Sequence, residues 1–407
     1  MRRYDLAIVG AGPVGLEAAA GAVAGGLNVV LLERGLLAQH LADWGHVRLF
    51  TPFELNAGPA GRAALGSGGR ALPEPGALLT GREFREEYLL PLAAALDDRV
   101  TILSRHRVLS ISRGSLLKGE ALGLTTRAES PFRLLYEGPD GEAEVLAEQV
   151  FDCSGTYGQP NWAGPGGTPA RGERGLRTSI EYGLPDVLGT DRSRYRGVRT
   201  LVLGGGHSAA TTVLSLATLA AQGPETRFSW ATRRSESPPL VAIPEDPLPE
   251  RESLVARAGT LAGAPPTGSE WLGGAQLLEI ARDGEEFTAR LAVDGGERES
   301  RFGAVVANVG YEPDDRLYRQ LQIHECYASR APMKLAAALL SSAGDGPPDC
   351  LTLGGFGPDT LENPEPGFFI LGAKSYGKHP AFLLKTGYEQ VRDALGMALA
   401  NGQINAV

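Results

Sequence analysis

A strand, a glycine turn and a helix occur in that order twice in this chain, and the repeat constrains the fold more than any other feature. The first copy, YDLAIVGAGPVGLEAA from Tyr4 to Ala19, is an apolar run broken by Gly10, Gly12, Pro13 and Gly15 before small helix formers resume. A second apolar run, LNVVLLE, ends at Glu33, 18 residues past Gly15, with Arg34 next. The first glycine of such a turn permits a tight bend, the second lets backbone approach a pyrophosphate, and the third lets helix and strand pack closely. The helix N-terminus then offers free N–H groups to the phosphates, and an acid at the position of Glu33 accepts hydrogen bonds from ribose hydroxyls.

The second copy, RTLVLGGGHSAATT from Arg199 to Thr212, places Gly204, Gly206 and Ala209 in the same roles, with His207 and Ser208 inside the turn. Alanine serves in the third place because only close packing is asked of it. The next strand, TRFSWATRR, ends in Arg233 and Arg234 instead of an acid. Two guanidiniums suit a 2′-phosphate that a carboxylate would repel. The second site is therefore expected to take NADPH.

At 407 residues the chain has room for two or three domains. Its 43% apolar and 21% charged residues are those of an ordinary globular protein. With a net charge of −9 and no basic stripe, nucleic acid is not an expected partner. Cys153, Cys326 and Cys350 are odd in number and form no CxxC, which suggests neither a disulfide framework nor a metal site and points to a reducing cytoplasm. Glycines interrupt the N-terminal apolar stretch early, so a signal peptide is not expected, and no run approaches the ~18 apolar residues of a membrane span.

Two fingerprints 194 residues apart, the first acidic and the second basic, resemble the two-dinucleotide-binding flavoproteins: thioredoxin reductases, flavin-containing monooxygenases and their relatives. The resemblance covers nearly the whole chain. It implies FAD on the first turn, NADPH on the second, and an α/β fold of two Rossmann-like, three-layer ββα domains with the NADPH domain inserted into the FAD domain. The expected spans are 1–160 and 312–407 for FAD and 161–311 for NADPH. QVFDCSGTYGQPN looks like the turn that closes the first unit, with Ser154 and Gly155, and AVVANVGYEPD like the second, with Val309 and Gly310. The spacing from Gly155 to Pro160 is closer to the monooxygenase branch.

WGHVRLFTPFELN, with Thr51 and Pro52, resembles the segment that runs beside the isoalloxazine ring; read from the residues alone, it is a wall for a flat cofactor or a buried aromatic loop. EPGFFILGAKSYGKHP resembles the last flavin motif, in which a strand ending in glycine leads to a helix aimed at the flavin pyrimidine. The acid that usually follows that glycine is missing: Gly372, Ala373 and Lys374 stand there, leaving FAD held by backbone or the loop reshaped around Lys374, Ser375 and Tyr376. Hairpin patterns precede each closing turn, the second through a tight DGG. Residues 235–275 are rich in Pro, Gly and charge, with one helix expected near Pro249 to Leu261, and read as a lid or a surface insertion.

Two dinucleotides imply that NADPH reduces the flavin, which then passes electrons to a second acceptor. A monooxygenase acting with O2 on a small N, S or carbonyl substrate is the leading expectation, although GLRTSIEYGLPDVLG lacks the histidine of the monooxygenase fingerprint and offers only Tyr182. A reductase of a small disulfide or quinone, without a cysteine pair of its own, is the alternative, and a low-turnover redox sensor the third. His46, Arg48, Lys374 and Tyr376 are the candidate catalytic residues by their expected nearness to the flavin, with His379 beside them. Cys153 is expected to be buried and inert. Oligomeric state stays open.

Overall fold

The computed structural model describes residues 2–342, 351 and 355–400; Cys350 lies outside them. The chain forms two compact units, one of Met1–Gln159 with Glu312–Val407 and one of Pro160–Tyr311. No helix among the described residues is long and apolar enough to cross a membrane.

The first unit is built on a seven-stranded sheet. β1 (Arg2–Val9), β2 (Val29–Glu33) and β3 (Val100–Ser104) lie parallel on one side, and β4 (Arg107–Arg113), β5 (Phe132–Gly138) and β6 (Gly141–Asp152) form an antiparallel meander. β6 belongs to both halves. Along one edge it runs parallel to β1 from Val145 to Asp152; along the other it pairs antiparallel with β5 and then, over its last residues, parallel with the strand Phe368–Ile370. Its burial reflects that division, alternating through the meander and then continuous from Gln149 to Asp152. A strand covered on both faces loses the alternation of a half-solvated one.

The helix Pro13–Ala24 starts with proline in its first turn, so it opens earlier than the apolar run from Leu16 suggests. Its alanines let it lie buried on almost every side. The one charge on the buried face, Glu17, accepts from the N–H groups of Ala60 (2.7 Å) and Gly61 (2.8 Å), which supplies the helix Pro59–Ser67 with the N-terminal cap its own sequence lacks.

In the second unit β7 (Arg199–Leu203), β8 (Arg227–Thr232), β9 (Glu270–Gly273) and β13 (Ala304–Ala307) form a parallel sheet in the order β13-β7-β8-β9. β10 (Gln276–Asp283), β11 (Glu286–Val293) and β12 (Gly296–Phe302) form an antiparallel meander, and Asp294 and Gly295, both at positive φ, make the two-residue turn between its last two strands. Residues 235–275 hold the helix Pro249–Gly263 and also β9, a strand the sequence reading leaves as loop. At four residues beside a glycine pair, β9 is too short to carry a readable alternation.

Candidate functional site

At the first turn the three glycines do different work. Gly10 takes a φ of +99°, and a Cβ there would lie 2.7 Å from the Cys153 carbonyl oxygen. A Cβ on Gly15 would overlap the Gly10 carbonyl oxygen, so helix and strand can approach only with glycine in that place. At Gly12, by contrast, a Cβ would meet open space. Gly12 also caps the helix without any side-chain hydrogen bond, which leaves the first-turn N–H groups facing that space. The Glu33 carboxylate accepts from Ala11 N at 2.8 Å and from Gly35 N at 2.9 Å, one bond to each oxygen. Each oxygen keeps a further lone pair for a ribose hydroxyl. Arg34 Nη2 meets His40 Nε2 at 2.8 Å, and its guanidinium fills the space beside Gly158.

The second turn repeats the backbone. Gly204 has a φ of +134°, and a Cβ there would overlap the Asn308 carbonyl oxygen; Gly206, the uncapped start of the helix His207–Ala220, faces open space. Ala209 is fully buried, and Trp230 Nε1 donates to the Gly204 carbonyl at 2.8 Å. The Asn308 side chain accepts from Thr212 Oγ1 (2.8 Å) and donates to the Gly183 carbonyl, tying the end of β13 to the helix. Ser208 is half-buried in the first helical turn.

The ring of His207 reaches solvent, yet the protein around it holds its pKa below the usual value, through desolvation first and the Arg251 guanidinium second, with Asp246 opposing. Asp246 and Arg251 form a two-bond ion pair, both at 2.7 Å, and bring the 235–275 segment up to the turn. Arg233 and Arg234 are exposed at the end of β8. The nearest carboxylate to Arg234 is Glu236 at 3.9 Å, also exposed, a contact too weak to commit the guanidinium.

In the first unit, the segment from Trp44 to Asn56 is held by main-chain bonds to residues 77–81: Leu49 N to Leu79 O, Phe53 N to Ala77 O and Gly81 N to Val47 O, each 2.9 Å. Thr51 is buried and exchanges two bonds with Asn56, at 2.7 and 2.8 Å, while Pro52 opens the short helix Phe53–Asn56. Tyr388, on the helix Leu384–Ala400, donates to the Asn56 carbonyl, and Val14 of the glycine turn packs under both Gly372 and Gly387. The first turn, Thr51 and Gly372 thus converge on one helix. His46 is half-buried, and Arg48 is exposed and donates to the Leu78 carbonyl.

Gly372 is not the start of the last helix. A 3-10 turn, Gly372–Tyr376, intervenes, and the helix begins only at Leu384, because Gly377 at positive φ and Pro380 interrupt the chain. Lys374 organises the turn. Its Nζ, fully buried, lies 2.6 Å from Asp152 Oδ2, 3.1 Å from Ser154 Oγ and 4.9 Å from the centre of the Tyr318 ring. Asp152 Oδ1 in turn accepts from Ser154 Oγ at 2.6 Å and Ser154 N at 3.1 Å. Gly155 comes next, at positive φ and facing open space; Gly310 in the second closing turn is also at positive φ, and Asn161 N donates to its carbonyl at 2.9 Å.

Tyr376 is fully buried against Phe382, and burial pushes its phenol up to about 12. Burial lowers the pKa of His379 and raises that of the Cys153 thiol, which keeps Cys153 unreactive. Tyr182 donates to Glu173 at 2.7 Å and stacks on Arg177, so packing accounts for it. Sequence reasoning passes over Asp152 and Asn308. The signal for Asp152 is there, as the single charge in the apolar run VFDCSG.

No family model matches the chain. Solved structures match it over nearly its whole length at low identity. Bacillithiol disulfide reductase from Bacillus cereus is 18% identical, with a TM-score of 0.70, over 98% of this chain and 100% of that one. The ornithine N-hydroxylase of Kutzneria sp. 744, solved with reduced FAD, NADP+ and ornithine, is 15% identical, with a TM-score of 0.64, over 98% and 99%. Thioredoxin reductase from T. acidophilum is 14% identical, with a TM-score of 0.60, over 98% and 99%. At these identities the likeness shows the fold alone: this chain shares the two-unit α/β architecture of these reductases and of the N-hydroxylase.

Proposed function

We propose that the protein is an FAD-dependent NADPH oxidoreductase. The observation that carries this reading is the pairing of two uncapped glycine turns with opposite ends, Glu33 after the first and Arg233 with Arg234 after the second. Open space at Gly12 and Gly206 fits two pyrophosphates, and the spare lone pairs of Glu33 fit the ribose of FAD. Arg233 and Arg234, uncommitted at the surface, fit a 2′-phosphate. FAD, when bound, supplies hydride acceptance and onward electron transfer.

The chain's own residues hold and orient. Gly10, Gly12, Pro13 and Gly15 bring backbone to the FAD phosphates, and Thr51, Pro52, Ser154, Gly155 and Gly372 line the way to the ring. Gly204, Gly206, His207, Ser208, Ala209 and Gly310 do the same for NADPH. His207, whose pKa desolvation and the Arg251 guanidinium hold below the usual value, is assigned to the pyrophosphate side of the second turn. Arg48, exposed, and His46, half-buried, are assigned beside the flavin, whereas Lys374 and Tyr376 act from within the fold.

For that acceptor we favour oxygenation of a small N, S or carbonyl substrate with O2, supported by the CSGTYGQP turn and the Thr51–Pro52 segment. A second reading, reduction of a small disulfide or quinone, is supported by the end-to-end match to bacillithiol disulfide reductase. The purified protein is expected to bind FAD and oxidise NADPH in preference to NADH. Oxygenated product formed in step with NADPH consumption supports the first reading. Uncoupled release of H2O2, with anaerobic turnover of an added disulfide or quinone, supports the second. A chain that takes up no FAD overturns both.

A further inference from the structure

We propose that Asp152 and Lys374 form a charge-balanced unit that sets the reduction potential of the bound flavin, with Ser154 as its outlet. The inference rests on the FAD reading of the first unit. Asp152 ends β6, and Lys374 lies in the turn that follows the neighbouring parallel strand Phe368–Ile370, whose next residue, Leu371, donates its N–H to the Asp152 carbonyl at 3.0 Å. In open parallel sheets ligands bind outside those strand ends. A Cβ on Gly10 would lie 2.8 Å from Ser154 Cα, so the unit adjoins the turn assigned to the FAD pyrophosphate.

Both side chains are wholly removed from water. A buried pair contributes little net stability against a well-packed apolar alternative, so a role in stability alone does not account for it. Removing one partner, however, leaves a full uncompensated charge in a low-dielectric site. Lys374 also acts electrostatically on Asp314, which Arg316 binds at 2.6 and 2.7 Å, and on Glu325, which Arg330 also faces and which accepts from Tyr318, under the ammonium, at 2.8 Å. Within the pair the two charges cancel at the strand ends.

Flavin reduction changes that balance. One hydride, a proton with two electrons, passes from NADPH to flavin, giving NADP+ and a reduced flavin that carries one negative charge. An unpaired Asp152 opposes that charge and an unpaired Lys374 favours it. Opposite substitutions must then shift the potential in opposite directions, which loss of packing would not do.

The test is an anaerobic spectral redox titration of the FAD-loaded protein, an equilibrium measurement independent of turnover. Lys374→Gln is expected to lower the midpoint and Asp152→Asn to raise it. Each should change the reduced-to-oxidised ratio at fixed potential at least tenfold, about 30 mV for a two-electron couple. The double variant, with the pair removed and neutrality kept, should return to within threefold of wild type. Shifts of the same sign, or singles that do not shift, overturn the proposal. Should a single variant fail to fold, Lys374→Arg and the double variant carry the test, and a tenfold shift in either overturns it. Wild-type protein that binds no FAD overturns the underlying reading instead, so the two failures are distinguishable.

Discussion

The two glycine turns share a backbone path and differ at three points around it. In the first, a methyl group on Gly15 would overlap the Gly10 carbonyl, while in the second Ala209 already carries that methyl in a fully buried position. The first ends its second strand in a carboxylate bound by two backbone N–H groups, the second in two exposed guanidiniums. The first is closed by the ionic unit Asp152–Lys374 with Ser154, the second by the neutral amide of Asn308 between Thr212 and Gly183. The shared path fixes where a pyrophosphate can lie. In the proposed function, the side chains placed around it decide which nucleotide is held and how much charge surrounds it.

The largest effect is expected where the helix and strand are closest. Gly15→Ala drives a methyl into backbone and should abolish FAD retention, read as flavin per chain after gel filtration, whereas Ala209→Gly costs at most about 1 kcal/mol in helix propensity and leaves NADPH binding intact. Equal tolerance at the two positions would erase the contrast. Next comes nucleotide choice. Replacing Arg233 and Arg234 together by alanine removes charge-assisted hydrogen bonds of about 1.5–3 kcal/mol, so the KM for NADPH should rise roughly ten- to hundredfold while that for NADH stays put.

A smaller effect is expected at Asn308. Truncation to alanine strands the Gly183 carbonyl, at about 1–3 kcal/mol, while the Thr212 hydroxyl falls back on the Ser208 carbonyl at 3.1 Å. It should weaken NADPH binding in titration calorimetry without changing FAD content. The smallest is a pH effect. Burial works against ionising Asp314, but its bonds to Arg316 prevail and hold its pKa at about 2 in the fold, below the ~3.9 of an unfolded aspartate. The stabilisation is then full above pH ~4 and lost as pH falls toward 2. A melting-temperature difference between wild type and Asp314→Asn should be present near neutrality and vanish in that acid range.

The glycine turns are legible in the sequence because their constraint is local: a positive φ, a missing Cβ and a nearby helix start all lie within a dozen residues. The helix Pro249–Gly263 is readable for the same reason, from proline at its start and acid in its first turn. Charges whose partners are remote in the chain are not. Lys374 looks like a free cation and is bound to Asp152, 222 residues away. Glu365, at the start of EPGFFILGAKSYGKHP, is buried between Arg113 and Arg127, 252 and 238 residues upstream. Sequence spacing gives no sign of such pairs: Asp152 stands out as a charge in an apolar run, but nothing in either segment names its partner. The delayed start of the last helix is local in origin, since Gly377 at positive φ and Pro380 interrupt the chain, although the buried lysine also anchors the intervening turn.

The place where the chain passes between units has a consequence for its architecture. Glu312 N donates to the Gln159 carbonyl at 2.9 Å, so the two segments of the first unit meet where the second was let in. Within the second unit Pro160 and Tyr311 are bridged in the same way. Each body is therefore a closed circuit with its ends side by side, the condition under which a domain can be excised, transplanted or circularly permuted. Joining Gln159 to Glu312 through a few glycines yields a continuous polypeptide for the acidic turn alone, and the excised 160–311 piece carries the basic one.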